Sequence, residues 1–392
     1  MQAENTSHAH LYIKKESLIS HLFGISILSV FLPIKIYPFL FLLASLFMLF
    51  RMEKKIYAFC VFIFAFVFYC YYSLIYTDIN PDIVTAITKL SISSILIISC
   101  SIFHYDTSKS REMLSVLNKY LTVIVILSLA QVVILHVQSG WNFIFASNSY
   151  DASKLFTNNH SYFGGDDKNM FGAKVALFGL LQYVSSSILK KKNTNRMLAL
   201  SFLSGALSMS RTPVAFLLAA FIIYKFAIKK GFALKIITVV IFGFFLAAAS
   251  PYIIEYLRID SVISGQRSDG MAIRILYWVA VLSNIDVIGM MGNGILSARQ
   301  FLTEYSVYYN GEPNVHNLYL NTFLDLGFIG LFLYSGFFAS LYILMRSMNK
   351  RIALVTISCA FIMSCTLYTA YDIEMWCFLS SSLYITRMSK YI

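Results

Sequence analysis

The pair His316-Asn317 is followed, after nine residues, by Gly327-Phe328-Ile329-Gly330, with Asp325 inside the interval. An imidazole titrates near neutral pH, which makes His316 a candidate catalytic group. The plainer alternative is a histidine that merely begins a helix at a membrane edge. Arg211 stands in Ser208-Met209-Ser210-Arg211-Thr212-Pro213, a short turn between two apolar stretches, with proline placed to start the second one. A guanidinium fixed there could grip a phosphate with two parallel hydrogen bonds. Alternatively it snorkels to lipid headgroups. Asp325 lies nine residues beyond His316, roughly two and a half helical turns on. An acid at that depth in an apolar stretch is costly and faces the protein interior. It would orient a partner or pair with Lys89 or Lys174. The glycines beside it allow close helix packing.

The elements that must position these residues are set by composition. Of 392 residues 58% are hydrophobic and 13% charged, and the mean hydropathy is +0.70. Soluble domains carry about a quarter charged residues, so the solvent of this chain is lipid. The pattern predicts an all-α polytopic integral membrane protein of about twelve transmembrane helices, near 17–34, 36–50, 56–76, 83–103, 120–138, 170–189, 197–210, 212–228, 232–252, 317–345, 352–370 and 373–386. The seventh and eighth could instead form one re-entrant hairpin. Two loops, 139–169 and 253–316, join spans on one face, within what is otherwise a single membrane domain over 1–392. Both loops keep aromatic residues among Asn, Ser and Gly, as folded caps do. Gly270 to Ser283 has Ile273, Leu276, Tyr277 and Ala280 at helical spacing, which predicts an amphipathic helix at the interface.

A formal net charge of +12 does not imply nucleic acid here. Nineteen of the 31 cations fall in alternate connections, among them Lys14-Lys15, Arg51, Lys190-Lys191-Lys192 and Arg387. That is the positive-inside distribution, and it puts both termini in the cytoplasm and the two long loops outside. Met1 to Glu16 is polar and many apolar stretches follow the first, so no cleavable signal is expected. The six cysteines lie in apolar stretches with no metal-ligand spacing. Asp166-Asp167 is the adjacent acidic pair of the outer face, and no Asp-x-Asp motif accompanies it. Neither metal nor cofactor is demanded.

Taken together, the motifs resemble the bacterial O-antigen ligase family, whose relatives include O-antigen and exopolysaccharide polymerases. The resemblance rests on His316-Asn317 with Gly327-Phe328-Ile329-Gly330; on Lys168-Asn169-Met170-Phe171-Gly172; on Ser210-Arg211; and on Arg274-Ile275-Leu276-Tyr277-Trp278 with Gly289 and Gly292-Asn293-Gly294. They occur in the family's order, over roughly residues 160–345. Thr212-Pro213 departs from the small residues that many members carry after the arginine. The resemblance implies a metal-independent inverting glycosyltransferase of the bacterial inner membrane, working on its periplasmic side. Its donor would be a glycan on undecaprenyl diphosphate. Its acceptor would be a sugar hydroxyl of lipid A-core (ligase, slightly preferred) or of a lipid-linked repeat unit (polymerase). It implies His316 as base, Arg211 and Arg274 as chief diphosphate ligands, with Lys168 and Arg267 as lesser ones, and Asn317, Asp325 and Asn169 in support. A transporter of lipid-linked glycan is the remote alternative, disfavoured because in-span charges are few and no repeat is visible.

Overall fold

Polar residues with a side-chain acceptor sit immediately before the apolar runs and define where helices start. The computed structural model describes residues 2–53, 57–143, 154–157, 167–228, 270–365 and 367–392. Its helices are α1 (Gln2–Ser29), α2 (Tyr37–Leu49), α3 (Ala58–Ser73), α4 (Pro81–Ile102), α5 (Ser110–Gln138), α6 (Lys168–Ile188), α7 (Thr194–Leu207) and α8 (Arg211–Ile228). They continue with α9 (Gly270–Ser283), the single turn α10 (Ile285–Ile288), α11 (Ala298–Tyr305), α12 (Leu318–Met348), α13 (Lys350–Ser364) and α14 (Ile373–Ser389). Asn80 caps α4, Asp167 α6, Asn317 α12 and Asn349 α13, each accepting from two backbone N–H groups of the first turn. Such caps satisfy donors that no intrahelical carbonyl can reach. The predicted ninth span near 232–252, Arg267, Asp166 and most of the loop 139–169 lie outside the described residues.

The described secondary structure is helical apart from one isolated bridge between Met52 and Phe103. Among the described residues five helices are long and apolar enough to cross a membrane, and Lys168–Ile188 and Leu318–Met348, which border the two long connections, are among them. This is a multi-pass membrane protein. Its basic connections are stitched together at one end of the bundle. Glu16 takes Arg51 at 3.3 Å and the Asp106 N–H at 2.7 Å, and Asn349 reaches Ser389 at 3.0 Å. Arg387, one of the cations of these connections, is buried. It donates to the Cys100 and Phe103 carbonyls at the end of α4 and pairs with Glu53. Those carbonyls have no helical partner, so the cation caps the helix and complements its dipole.

Two findings go beyond the sequence expectation. The last helix, expected as one more span over 373–386, is enclosed by the rest of the bundle. Every residue of α14 from Ile373 to Met388 is buried, and it packs on α4, α5, α6, α12 and α13. A helix with no lipid face can carry Glu374, Ser380-Ser381-Ser382 and Arg387, which lowers its apparent hydrophobicity. The tenth span, α12, is broken at Gly327, whose φ of 63° and ψ of −161° are open essentially to glycine alone.

The break is repaired from outside the helix. Asn293 and Gly294 donate their N–H groups to the carbonyls of Leu324 and Asp325, both at 2.9 Å, and Ile329 donates to Met290 at 3.3 Å. Backbone polar groups at membrane depth must be satisfied within the protein. The two glycine motifs are therefore one structure. A Cβ on Gly292 would lie 2.4 Å from the Gly327 nitrogen, and one on Gly327 would lie 2.2 Å from the Met290 oxygen. Gly327→Ala should lose at least about 2 kcal/mol of stability through strain and clash together. Gly270→Ala, with nothing within 4 Å of the added Cβ, should stay within about 0.5 kcal/mol. Midpoints of thermal unfolding in detergent check this; equal midpoints for the two variants would contradict the interlock.

Candidate functional site

At the end opposite the basic connections, four segments surround a cavity of about 500 Å³. Asp167, Asn169 and Met170 come from the start of α6, and Gly270, Ile273, Arg274 and Tyr277 from α9. Asn310, Glu312, Asn314 and His316 come from the segment before α12, and Leu367 and Asp372 from the connection before α14. Three residues singled out from sequence, Asn169, Arg274 and His316, thus meet in one cleft across more than a hundred residues of chain. The volume lies in the range of small-molecule sites.

The backbone at His316 is strained and clamped. Its φ of 53° is left-handed, a region where histidine, asparagine and aspartate are enriched but still uncommon. On one side of it, Val315 donates to Asn321 Oδ1 at 3.3 Å and accepts from Trp278 Nε1 at 2.9 Å. The His316 N–H bonds Asn314 Oδ1 at 2.9 Å, and on the other side Asn317 caps α12 and donates to the Cys365 carbonyl. Strain that survives because its surroundings over-determine it is a mark of functional sites. Trp278 stands one turn beyond Arg274 on α9, so the hydrogen bond that fixes Val315 also fixes the arginine's helix against the histidine's segment.

The imidazole faces a carboxylate. His316 Nε2 lies 3.4 Å from Glu312 Oε2, while Nδ1 is buried and unpartnered among the described residues. A carboxylate at that nitrogen accepts from Nε2–H, a tautomer inferred from the geometry, and leaves the basic lone pair on Nδ1. The hydrogen bond from His316, aided by the charge of Arg274, holds the Glu312 carboxyl below its ordinary value despite burial. Opposite, burial and then the neighbouring Glu374 push the Asp372 carboxyl up to about 6, against hydrogen bonds from the Thr369 N–H and hydroxyl. Carboxyls displaced in opposite directions within one cleft are typical of acid–base sites.

Asp325 does not reach the cleft and does not pair with Lys89 or Lys174, as its depth had suggested. It is fully buried. Oδ1 accepts from the N–H and hydroxyl of Ser297, both at 3.1 Å, and Oδ2 from Asn321 at 2.9 Å and Tyr371 at 3.2 Å. Through Asn321 it holds Val315, and so acts on His316 at one remove. Lys174 pairs instead with Glu374 at 2.9 Å, joining α6 to α14 behind the cleft.

The turn before α8 docks on the start of α6. Ser210 Oγ bonds Asn169 Oδ1 at 2.9 Å, and Gly172 lies so close to Pro213 and Ser208 that a Cβ would come within 2.4 and 2.9 Å of them. The proline that departs from the family pattern is thus the residue packed into the Gly172 gap. Arg211 begins α8 directly after Ser210, which places its backbone beside Asn169. Its side chain and all of Arg267 lie outside the described residues. Lys168 is the buried first residue of α6, between Asp167 and Asn169 of the lining. Asp167, half of the acidic pair, spends its Oδ2 on capping α6.

Sequence reading missed Glu312 and Asp372. Glu312 precedes His316 by four residues, but in an irregular segment where helical spacing gives no warning. Asp372 opens an apolar stretch two residues before Glu374, and that pairing was the available signal.

Residues 197–335 match the family model described as O-antigen ligase. The match takes in the Ser210-Arg211 turn, Arg274, Trp278, the Gly292-to-Gly294 bend, and His316-Asn317 through Gly330. It supports the family resemblance drawn from those motifs over that stretch. No curated protein matches the chain.

Proposed function

From the O-antigen ligase match and the cleft that joins Arg274, Glu312 and His316, we propose a metal-independent inverting glycosyltransferase. It moves a glycan from undecaprenyl diphosphate to a sugar hydroxyl of lipid A-core. The cleft opens on the periplasmic side of the bacterial inner membrane, and both termini are cytoplasmic, in keeping with the placement of the basic connections. The observation that carries the reading is the imidazole whose one nitrogen meets a carboxylate and whose other has no partner among the described residues, with a helical arginine lining the same cavity.

The acceptor hydroxyl attacks the anomeric carbon on the face opposite the diphosphate. Its proton passes to His316 Nδ1 as the new carbon–oxygen bond forms. The carbon–oxygen bond to the diphosphate breaks, its electron pair leaves on the phosphate oxygen, and configuration inverts. Charge developing there is met chiefly by Arg274 and Arg211, with Lys168 and Arg267 as lesser ligands. Glu312 holds the imidazole in one tautomer, and Asn317 and Asp325 hold the segment that presents it. Asn169 joins the arginine turn to the cleft floor.

A strain deleted for the gene tests the reading by a surface-polysaccharide gel. Loss of all capped lipopolysaccharide, with polymer still building up on undecaprenyl diphosphate, is the expected result. Lipopolysaccharide bearing a single repeat unit would instead show a polymerase, which shares donor, leaving group and base. An unchanged profile would overturn both.

A further inference from the structure

The basic connections do not all behave alike. Arg51 is paired with Glu16 and Arg387 is turned into the bundle. Lys109, Arg111 and Lys191, in contrast, converge from two connections eighty residues apart on a cavity of about 550 Å³. Glu112 is the one acid in its lining among the described residues, so three cations face one carboxylate. Among the described residues neither Lys109 nor Arg111 has an ion-pair partner.

One of the three cations is held in place. Lys190 takes a left-handed φ of 56°, and the Lys191 N–H reaches back to the Ser186 carbonyl at 3.0 Å, closing the end of α6. The Lys191 ammonium then donates to Asn118 Oδ1, while Asn118 Nδ2 donates to Ser185 and Ser186, both at 2.8 Å. The ammonium keeps two further N–H donors.

Depth and pattern identify what such a cavity meets. α5 has 29 residues, hence a length of about 43 Å against roughly 30 Å of hydrocarbon. Its first turns therefore stand at headgroup level. Arg111, Ser115 and Lys119 follow one another at four-residue spacing. The same face continues into Val123 and Ile126, which are 40% and 49% exposed. Cations and a hydroxyl at headgroup depth, then apolar side chains at acyl depth, complement an amphiphile; a free anion would use only the first half.

We propose that this cavity binds the phosphodiester headgroup of an anionic phospholipid, with an acyl chain along Val123 and Ile126. Native mass spectrometry of the full chain, released from mixed phosphatidylglycerol and phosphatidylcholine nanodiscs, tests it. Phosphatidylglycerol should be retained roughly tenfold over phosphatidylcholine, each nearby cation adding to the attraction. The preference should vanish in Lys109→Glu/Arg111→Glu, which leaves the Lys191–Asn118 contact intact. It should survive in Lys350→Glu/Arg351→Glu, the same charge change at another basic connection. Equal loss in both pairs would mean a diffuse surface effect and overturn the site, as would no preference in the unaltered chain. Displacement of the lipid by millimolar inorganic phosphate would show a site for free anions and equally overturn the lipid assignment.

Discussion

Replacing His316 with alanine is expected to abolish glycan transfer while the protein still inserts and accumulates. Loss of a positioned general base costs about 10²- to 10⁴-fold in rate, or roughly 3 to 5 kcal/mol of transition-state stabilisation. The structure sharpens the choice of control. His316 occupies a left-handed backbone position, which alanine tolerates poorly and asparagine tolerates well. His316→Asn keeps the backbone and a polar side chain but cannot take a proton at neutral pH. Both variants should therefore be inactive, and the asparagine form should unfold at close to the unaltered midpoint. Turnover of a synthetic undecaprenyl-diphosphate glycan by purified protein reads the first, and thermal unfolding in detergent the second. Full activity in His316→Asn would remove the histidine from the chemistry and leave it as a helix-start residue.

Much of this was visible in the chain because membrane helices announce themselves locally. Long apolar runs and the acceptors ahead of them, Asn80, Asp167, Asn317 and Asn349, fix where α4, α6, α12 and α13 begin. The helix over 270–283 was legible from its spacing, with Ile273, Tyr277 and Ala280 buried and Leu276 half-buried. Its opposite face carries Val279 and Leu282, 52% and 54% exposed. What escaped depends on contacts between distant segments. The centrality of α14 follows from which helices surround it, and hydropathy registers only its serines and charges. The two glycine motifs read as separate small-residue patches, although each exists so that Met290-to-Gly294 and Leu324-to-Gly327 can touch backbone to backbone. Glu312 escaped because nothing in its spacing ties it to an imidazole.

Arg274 supplies the second large effect. Arg274→Lys keeps the positive charge in the cleft and should still lose about 10²- to 10³-fold in turnover. A lysine offers a point charge, whereas the guanidinium fork can hold two phosphate oxygens in one plane. The location argues for a rigid ligand: Arg274 lies on α9 one turn before Trp278, whose indole is bonded to the carbonyl of the residue preceding His316. In the proposed mechanism the leaving-group ligand and the base are thereby referred to the same short piece of backbone, so a shift in either is felt by both. The kinetic pattern separates this from simple headgroup binding. An arginine that acts on the departing diphosphate lowers kcat and kcat/KM together, while one that only gathers donor at the membrane raises KM and leaves kcat alone. Arg211→Lys should behave in the same way, since Ser210 ties its turn to Asn169 on the cleft floor. Near-normal kcat in both lysine variants would assign the arginines to lipid headgroups and leave the departing charge to other groups of the cleft.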